Sequence, residues 1–383
     1  MPTPGSQRIK QTALNFVDAM KMGGQPGVYS KEAGGGESFY GSYHAAHILD
    51  LFGELPKLPP AALDAWAEIF IRKQCRQGYF SPLPADAARI RGIHEMDPLW
   101  HYTRGNIWAL RLLNRKPAYP LTFLEPLLDA KALYRWVKHY DWSNAWAAGN
   151  QVLAAATALF ALRDWFDVKE VDRVMEEGMF AALEELQDPA TGYWGTQSGA
   201  DLPNGLFGAI HIAPVYFAQG WPLRYLERNV DATLQCQLPD GSFWPGGSDC
   251  PDFDGAYMIA NLAAMTDYRK ADLAAAARSY LEHALLHEDP QGNGWLLHRK
   301  DSGPADWKAR PHWIWKEGAA AAEAELRDED PARTHIMLGS WFYPLSIALV
   351  SRMLGDTGYE GPYHFNSASL HVCNVPALQT SGV

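Results

Sequence analysis

The sequence QLPDGSFWPGGSDCPDFDGAYMIANL, from Gln237 to Leu262, joins the end of one amphipathic helix to the start of a second, apolar one. Between them lie a glycine–aromatic turn and a glycine-rich connection. Three carboxylates, Asp249, Asp252 and Asp254, then precede the apolar run. Pro251 and Asp252 suit a first helical turn, where proline loses no hydrogen bond and an aspartate accepts from free N–H groups. Three acids beside a cysteine exceed what capping requires, so the segment predicts a helix start that also carries chemistry.

The same order of elements recurs along the chain. One helix with a charged face ends in a glycine–aromatic turn, a polar loop follows, and a second helix begins polar and aromatic and becomes aliphatic. The second type is predicted at Phe39–Phe52, Trp100–Leu113, Trp146–Leu162, Leu206–Gln219, Asp252–Met265 and Gly339–Leu354. The first type includes Leu124–Val137, Val168–Gln187, Leu223–Gln237 and Ala271–His287, and amphipathic helices are also predicted at Ile9–Met20 and Ala61–Gln74. The turns are GYF ending at Phe80, GYW at Trp194, GSF at Phe243 and NGW at Trp295, the last three about 50 residues apart.

A repeat of helix pairs buries the apolar face of each pair against its neighbours. The second type carries few charges, which predicts burial on both sides, whereas the first type keeps a solvent face. We therefore expect an all-α fold, an α/α toroid of about six to seven helix pairs, as a single domain over residues 1–383, since no long alternating strand pattern competes. Residues 288–335 are expected to form an insertion or lid, within which 307–329 is alternatively a seventh inner helix. Residues 356–383 are expected to form a C-terminal tail that packs near the funnel.

The composition is that of a soluble protein with a net charge of -11 and a sequence pI near 5.6. That balance argues against a nucleic-acid or anionic-membrane partner, which would need a basic face. No uncharged apolar run reaches the roughly 20 residues that span a bilayer, and no signal-peptide core is visible, so we expect a cytoplasmic protein without a membrane span. Four scattered cysteines without a CxxC pair are expected to be free thiols. The sequence leaves the oligomeric state open.

The repeat turns resemble those of terpenoid cyclases and protein prenyltransferase β subunits. QLPDGSFW is similar to their Gln-x-x-Asp-Gly-x-Trp repeat, with Phe243 at the tryptophan position, and QDPATGYWG at Gln187–Gly195 is a weaker match. PDFDGAYMI is similar to the Pro-Asp-x-Asp-Asp-Thr-Ala segment of squalene–hopene-type cyclases. That resemblance implies Asp254 as the proton donor and Asp252 as the first aspartate of the segment. The two residues after Asp254 depart from it, being glycine and alanine where the cyclases have aspartate and threonine.

The resemblance implies the toroid more strongly than it implies a reaction. The same toroid also serves polysaccharide lyases and glycosidases. Class II cyclases generally place the substrate between two helical domains, whereas this chain is long enough for one toroid. Prenyltransferase β subunits bind zinc through Asp, Cys and His, and Asp249, Cys250 and His364 resemble that set, although the family spacing is Asp-x-Cys and here the two are adjacent. We therefore expect no cofactor, with a divalent metal near Asp249 and Cys250 as the alternative.

In a toroid the amino-terminal ends of the inner helices point to one mouth, so polar residues at those starts converge. The candidate catalytic residues are Arg104, Asn150, His211, Asp252, Asp254 and Tyr257. The candidate substrate-binding residues are Tyr43, His44, His101, Asn144, Trp146, Trp194, Tyr216, His312, Trp313, Trp341 and His364. Histidines and tryptophans are usually core residues, and Asn144 and Asp252 also suit helix caps. The convergence of the set is what indicates a site.

The aromatic, amide, acidic and guanidinium groups of this set suit a sugar that carries a carboxylate. Hydrolysis needs two carboxylates roughly 5 to 10 Å apart, for which the chain offers Asp252 or Asp254 with Glu317. β-Elimination from a uronic acid needs a group that neutralises the carboxylate, a base and an acid. These roles fall to Asn150 or Arg104, to His211, and to Tyr257 or Tyr216.

We therefore predict a carbohydrate-active enzyme that cleaves an acidic polysaccharide or oligosaccharide. β-Elimination by a polysaccharide lyase is the favoured mechanism because it uses more of the residues present, and hydrolysis by a glycosidase is the second. One alternative is a class II-type terpene cyclase with Asp254 as proton donor. The other is a glycan-binding toroid without catalysis.

Overall fold

The computed structural model describes residues 2–82, 90–97, 99–289, 291–296, 335–365 and 375–379. Within these residues the chain forms helices joined by turns and loops, and the β pairings are isolated bridges. The α-helices are α1 (Pro4–Ala19), α2 (Phe39–Leu51), α3 (Pro60–Ile71), α4 (Trp100–Leu112), α5 (Ala130–His139), α6 (Ala145–Phe166), α7 (Glu170–Val174), α8 (Ala181–Leu186), α9 (Leu202–Ala218), α10 (Leu226–Cys236), α11 (Asp249–Met265), α12 (Lys270–Leu285), α13 (Met337–Leu354) and α14 (Pro376–Gln379). A π-helical turn, Met175–Phe180, joins α7 to α8. The described part of the chain is therefore all-α, as the sequence predicts.

Six helices, α2, α4, α6, α9, α11 and α13, form the inner set and are buried on nearly all sides. In α2, for example, every residue except Leu49 is buried, including two tyrosines and two histidines. Each inner helix contacts the next one along the chain, and α13 contacts α2. The contacts among the inner helices therefore run in a closed cyclic order.

The outer helices pack one apolar face on this inner set. In α5, Leu133, Trp136 and Val137 are buried, while Lys131 and Arg135 are exposed. Further along, α10 contacts α9 and α11, and α12 contacts α11 and α13. The first helix, α1, contacts both α2 and α13, so it packs at the place where the cyclic order closes.

A glutamine near the end of three outer segments fastens each repeat turn. Its Nε2 donates to the carbonyl of the turn glycine and to a backbone carbonyl of the next outer segment, over 2.8 to 3.5 Å. The glutamines and their acceptors are Gln74 with Gly78 and Tyr119, Gln187 with Gly192 and Arg224, and Gln237 with Gly241 and Ala276. Glycine is required at Gly241, where φ is +87° and a Cβ would lie 2.3 Å from the Ser279 carbonyl oxygen. These hydrogen bonds give the repeated sequence motif its physical reason.

Glu288 takes the place of that glutamine after α12. Its carboxylate accepts from the Thr12 hydroxyl at 2.9 Å and pairs with Arg8 Nη2 at 2.9 Å, and both partners lie on α1. The turn that follows makes the same kind of bridge, Glu288 to Trp295, as the glutamine turns. The last of these described turns is therefore fastened to the first helix of the chain.

Helix boundaries differ from the predicted ones where side chains cap or interrupt a helix. Inner helix α9 begins four residues before the predicted Leu206, because Asp201 caps it by accepting a backbone N–H. The predicted outer helix Leu124–Val137 is divided, because Pro126 lies in a 3-10 turn and Asp129 caps a new helix, α5. Local capping, which the apolar pattern does not encode, accounts for both differences.

The described part of the chain after α13 packs against the carboxyl-terminal halves of inner helices α2 and α11. The His364 N–H donates to the Leu51 carbonyl at the end of α2, and the Ala377 N–H donates to Asn261 Oδ1 in the second half of α11. These backbone contacts hold the described part of the tail there. Most of the expected insertion or lid, residues 297–334, lies outside the described residues.

One helical stretch of the described residues, Trp142–Phe166, is long and apolar enough to cross a bilayer, with a mean hydropathy of 1.3. It comprises inner helix α6 and the turn before it, and 83% of its most apolar window is buried inside the protein. The core helix of a helical protein has the same length and composition, and this burial identifies the stretch as a core helix.

Candidate active site

The inner helices bring polar and aromatic side chains together in one cluster. The members of this central polar cluster are Tyr40, Tyr43 and His44 from α2, His101 and Arg104 from α4, Asn150 from α6, His211 from α9, Cys250 from α11 and Trp341 from α13. Hydrogen bonds, ring contacts and electrostatic interactions link cluster members that lie on different helices. Arg104 interacts with Cys250, for example, although α4 and α11 are not neighbours in the cyclic order.

Arg104 is the charged centre of the cluster and is 6% exposed. Its Nη1 donates to Asn150 Oδ1 at 2.8 Å, and its guanidinium carbon lies 4.9 Å from the centre of the Trp108 ring. Among the described residues, neither Arg104 Nε nor Asn150 Nδ2 has a hydrogen-bond partner, although both atoms are buried. Because unpaired buried donors cost free energy, two of them on one hydrogen-bonded pair indicate a place for an acceptor, above all an anionic one.

Three histidines of the cluster are held neutral. Burial lowers the pKa of His44 to about 3, and burial together with the charge of Arg104 lowers the pKa of His211 to about 3. Burial lowers the pKa of His101 well below its usual range, and Arg104 lowers it further. His211 Nδ1 lies 2.6 Å from the Phe207 carbonyl oxygen, which can only accept. The proton of His211 is therefore on Nδ1, and Nε2 presents a lone pair.

Two tyrosines supply hydroxyl groups to the cluster. The Tyr40 hydroxyl lies 2.8 Å from His101 Nδ1. Burial raises the pKa of Tyr43 above its usual value, while the charge of Arg104 acts in the opposite direction. Tyr43 therefore keeps its proton at neutral pH, close to a guanidinium that would stabilise the phenolate once the proton had left.

Trp341 gives the cluster an aromatic surface on the side of α2. The centre of its ring lies 4.1 Å from that of His47, 5.6 Å from that of His44 and 5.8 Å from that of Tyr43. An aromatic ring of this size suits the apolar face of a pyranose. The cluster thus combines neutral imidazoles, a phenol, a guanidinium–amide pair and an aromatic surface.

Asp254 lies four residues after Cys250 and therefore on the same face of α11. It is 3% exposed, and its Oδ2 has no hydrogen-bond partner among the described residues. Burial raises the pKa of Asp254 well above its usual value, and the nearby Asp249 and Asp252 raise it further. Burial and the acidic neighbours therefore favour the protonated form of Asp254.

Asp252 faces the outer helix α12 instead of the central polar cluster. Its carboxylate accepts from the N–H groups of Phe243 at 2.8 Å and Ser248 at 2.9 Å. It also lies 3.1 Å from His283 Nε2 and 3.2 Å from the Tyr343 hydroxyl. Asp252 therefore fastens the start of α11, and the catalytic role predicted for it finds no support in this position.

Two aromatic candidates, Trp194 and Tyr216, lie between the inner and outer layers. Trp194 donates from Nε1 to a backbone carbonyl of α8 at 2.8 Å, and its ring centre lies 5.8 Å from that of Tyr216. Tyr216 also contacts Phe180 in the π-helical turn. Tyr257 is fully buried, with its ring 5.7 Å from that of Phe253. Within the cluster, the tyrosines that interact electrostatically with Arg104 are instead Tyr43 and Tyr40.

At the start of α6, Asn144 accepts from the Ala147 N–H at 3.2 Å and so caps the helix. Trp146 packs its ring 5.0 Å from that of Phe207 and is 3% exposed. The structure thus places Asn144 in its ordinary capping role and Trp146 between α6 and α9.

His364 is not brought to the central polar cluster. Its Nδ1 lies 3.2 Å from Asp50, near the carboxyl-terminal end of α2, whereas the cluster members of α2 lie in its first half. It therefore does not join the zinc-like set proposed from the sequence. Three other candidates, His312, Trp313 and Glu317, lie outside the described residues.

The sequence analysis missed two histidines, His283 and His287, which the structure brings to Asp252. They are four residues apart at the end of α12 and thus share one face. Asp252, His283 and His287 place ligand atoms within 4.8 Å of one another. Together with Tyr343 they form what we call the buried histidine cluster. The His-x-x-x-His spacing was the available signal, but it lies on an outer helix, where polar residues are ordinarily solvated.

The similarities found to known proteins are to solved structures. No protein-family model matches the chain, and no curated protein matches it. The chain is similar to a solved polysaccharide lyase at 12% sequence identity, with a TM-score of 0.47, over 92% of this chain and 99% of that chain. A likeness at this level carries no argument about function, so the functional conclusion comes from the residues of this chain.

Proposed function

We propose that the chain is an α/α toroid of six helix pairs. The support is the cyclic order of contacts among the inner helices, together with the attachment of Glu288 to α1. In a toroid the inner helices enclose a funnel, and the side chains on their inner faces share it. The central polar cluster is then the lining of that funnel.

We infer that this lining binds and cleaves an acidic polysaccharide or oligosaccharide by β-elimination at a uronic acid. The observation that carries this function is the Arg104–Asn150 pair with its two unpaired, buried donors, Arg104 Nε and Asn150 Nδ2. A uronate carboxylate has acceptor oxygens for both, and a planar guanidinium suits carboxylate geometry. No carboxylate of the described residues pairs with Arg104, so its charge is available to a substrate.

The other groups of the cluster supply the proton transfers. With its carboxylate neutralised, the uronate loses the C5 proton more readily, and His211 Nε2 accepts that proton. The C–H electron pair forms the C4=C5 double bond, the C4–O4 bond breaks, and the leaving oxygen takes the proton of Tyr43. The proton on His211 then returns to the Tyr43 phenolate through solvent, which restores both groups.

Substrate binding would raise the pKa of His211, the proposed base. The pKa of His211 is lowered to about 3 by burial and by the charge of Arg104. A bound carboxylate cancels the second of these causes, so the pKa of His211 rises when substrate is present. The acid proposed here is Tyr43 in place of Tyr216 or Tyr257, because Tyr43 lies in the electrostatic reach of Arg104.

The test is a panel of uronic-acid polysaccharides, with the ultraviolet absorbance of the unsaturated product as the readout. We expect product from the wild-type protein, and loss of product from His211→Gln and Tyr43→Phe. The exposed His94→Gln serves as the control and should retain wild-type rates. If new reducing ends form without unsaturated product, the reaction is hydrolysis and not elimination. If calorimetry shows that the polysaccharide binds but no product forms, the protein binds glycans without cleaving them.

A second function, proton-initiated terpene cyclisation, is favoured by one observation. Asp254 is a buried carboxyl group whose protonated form is favoured by burial and by its acidic neighbours, and one of its oxygens has no hydrogen-bond partner among the described residues. Such an acid can protonate an alkene. This function predicts turnover of squalene-like or prenyl substrates by the wild-type protein and none by Asp254→Asn. Absence of turnover in both proteins would remove it.

A further inference from the structure

The buried histidine cluster lies outside the central polar cluster, between inner helices α11 and α13 and outer helix α12. The side chains of Asp252 and His283 are 0% exposed, and His287 and Tyr343 are equally buried. Burying a carboxylate beside two imidazoles and a phenol costs free energy, which hydrogen bonds or a bound ion must offset. No step of the proposed function uses them.

The four donor atoms of the cluster follow one another at nearly equal distances. Asp252 Oδ2 lies 3.1 Å from His283 Nε2, which lies 3.1 Å from His287 Nε2. His287 Nε2 lies 3.3 Å from the Tyr343 hydroxyl oxygen, which lies 3.2 Å from Asp252 Oδ2 and so returns to the start. Neighbouring ligand atoms of a tetrahedral zinc ion, with bonds of about 2.0–2.1 Å, lie about 3.3 Å apart.

One histidine of the cluster directs a nitrogen lone pair into it. His287 Nδ1 lies 3.0 Å from the Leu296 carbonyl oxygen, so it carries the proton and Nε2 does not. A carbonyl that orients an imidazole in this way is the usual companion of a metal-binding histidine. His283 Nε2 faces the Asp252 carboxylate, which accepts, so in this structure Nε2 carries the proton; an ion would move that proton to Nδ1, which makes no hydrogen bond within the described residues. The Asp252 carboxylate is likewise oriented, by the backbone N–H groups of Phe243 and Ser248.

Gly247 keeps side-chain atoms away from the same nitrogens. Its φ is +80°, and a Cβ there would lie 2.4 Å from His287 Nε2 and 2.8 Å from His283 Nε2. A side chain at this position would therefore collide with both imidazoles, and only glycine fits there.

Charge balance favours a cation in the buried histidine cluster. Within the described residues, the positive partner available to Asp252 is His283, and only if that imidazole is protonated. A buried carboxylate without full compensation is strongly unfavourable, and a divalent ion supplies the missing charge.

We propose that Asp252, His283, His287 and Tyr343 bind one divalent transition-metal ion, which is zinc by their two-imidazole, two-oxygen donor set. A closed, fully buried position suits a structural ion. The ion fastens the start of α11 to the end of α12 and to α13. It thereby holds the helix start that carries Cys250 and Asp254. The site differs in its residues from the Asp249–Cys250 alternative of the sequence analysis.

The test measures metal content by mass spectrometry on the full-length chain, purified without a histidine tag. The proteins compared are the wild type, the double variant His283→Gln/His287→Gln, Cys250→Ser, and His47→Gln as a buried histidine outside the cluster. We expect about one zinc equivalent per wild-type chain, at least tenfold less in the double variant, and wild-type content in the other two. Chelation should lower the thermal unfolding midpoint of the wild type.

Two results would overturn the proposal. One is a wild-type chain that carries no metal and binds none of zinc, cobalt, manganese or iron added at micromolar concentration. The other is metal that is kept by the double variant or lost with Cys250→Ser, which would place the ion elsewhere. If the double variant does not fold, cobalt-substituted wild type decides instead. Its X-ray absorption should show nitrogen and oxygen neighbours only, and a sulfur neighbour would exclude the assigned ligands.

Discussion

Arg104 on α4 donates a 2.8 Å hydrogen bond to Asn150 on α6, and both side chains are almost completely buried. The pair joins two neighbouring inner helices through a charged group that no described carboxylate neutralises. The pair can therefore contribute to stability and to ligand binding through different groups. The hydrogen bond holds the helices together, while the remaining charge is available to a ligand.

Asn150→Asp should therefore abolish activity while leaving the fold intact. The introduced carboxylate pairs with the Arg104 guanidinium and competes with the substrate carboxylate, so kcat/KM on the uronic-acid substrate should fall by about 100-fold or more. The thermal unfolding midpoint should stay at or above that of the wild type. Asn114→Asp, at an exposed position, is the matched control and should change neither quantity. Activity of Asn150→Asp within threefold of the wild type would contradict the role of the pair.

Neutral burial of His44 should make stability fall as the solution becomes acidic. Its pKa is about 3 in the folded protein against 6.5 in the unfolded chain, so between these pH values the unfolded chain binds a proton that the folded chain does not. The free energy of unfolding is therefore highest above about pH 6.5 and is lost as pH falls, by roughly 1.4 kcal/mol per pH unit for one such group. Urea unfolding at pH 7, 6 and 5 should show a shallower loss for His44→Gln. The exposed His139→Gln should keep the wild-type slope, and equal slopes for both variants would refute this account.

The sequence could predict the repeat because each turn depends on a few local hydrogen bonds. Gln187 and Gln237 each bind a turn glycine and the next outer segment, so the motif marks both the turn and the helix pair around it. The all-α prediction is confirmed for the described residues. The start of α9 could not be placed from apolar periodicity, because it is set by the Asp201 side chain.

The candidate site was predictable in part for a similar reason. Polar residues predicted near the starts of buried helices, such as Arg104 and His211, do come together in the central polar cluster. The direction of each side chain around its own helix axis is a tertiary property. Tyr216 and Asp252 are for that reason turned toward the outer layer. His283 and His287 could not be found in the same way, because they lie at the end of an outer helix and the pattern concerns inner helices.

Gln74→Ala should destabilise the protein more than truncation of an exposed glutamine does. Gln74 is 3% exposed, donates to the carbonyls of Gly78 and Tyr119, and accepts from the Tyr119 N–H. Removing it leaves buried backbone groups unpaired, which costs about 1 to 3 kcal/mol of unfolding free energy. Gln11→Ala removes an exposed glutamine of α1 and should cost less than about 0.5 kcal/mol. Equal effects in denaturant unfolding would show that the turn hydrogen bonds do not stabilise the repeat.

Gly247→Ala and Gly292→Ala form a matched pair. Both glycines have similar left-handed φ values, +80° and +77°, but a Cβ at Gly292 meets nothing within 4 Å. Gly292→Ala should therefore cost about 1 kcal/mol from backbone strain alone. Gly247→Ala should cost about 1 to 3 kcal/mol more, because its Cβ would meet the His287 and His283 nitrogens. Chemical denaturation measures both values, and equal costs would mean that the histidines move aside freely.

Asp254→Asn should stabilise the protein at neutral and alkaline pH. The folded pKa of Asp254 is raised well above its unfolded value of 3.8 by burial and by its acidic neighbours. Its favourable contribution is therefore complete below pH 3.8 and is lost as pH rises through the folded pKa, because the unfolded chain ionises and the folded chain resists doing so. Asparagine has the same shape and does not ionise, so the free energy of unfolding of Asp254→Asn should exceed that of the wild type at pH 8, with the difference shrinking toward pH 4. Asp167→Asn, with a side chain 79% exposed, should show little of this pH dependence. A variant that is less stable than the wild type at pH 8, but not at pH 4, would mean that Asp254 is ionised in the folded protein and cannot be the proton donor of a cyclase.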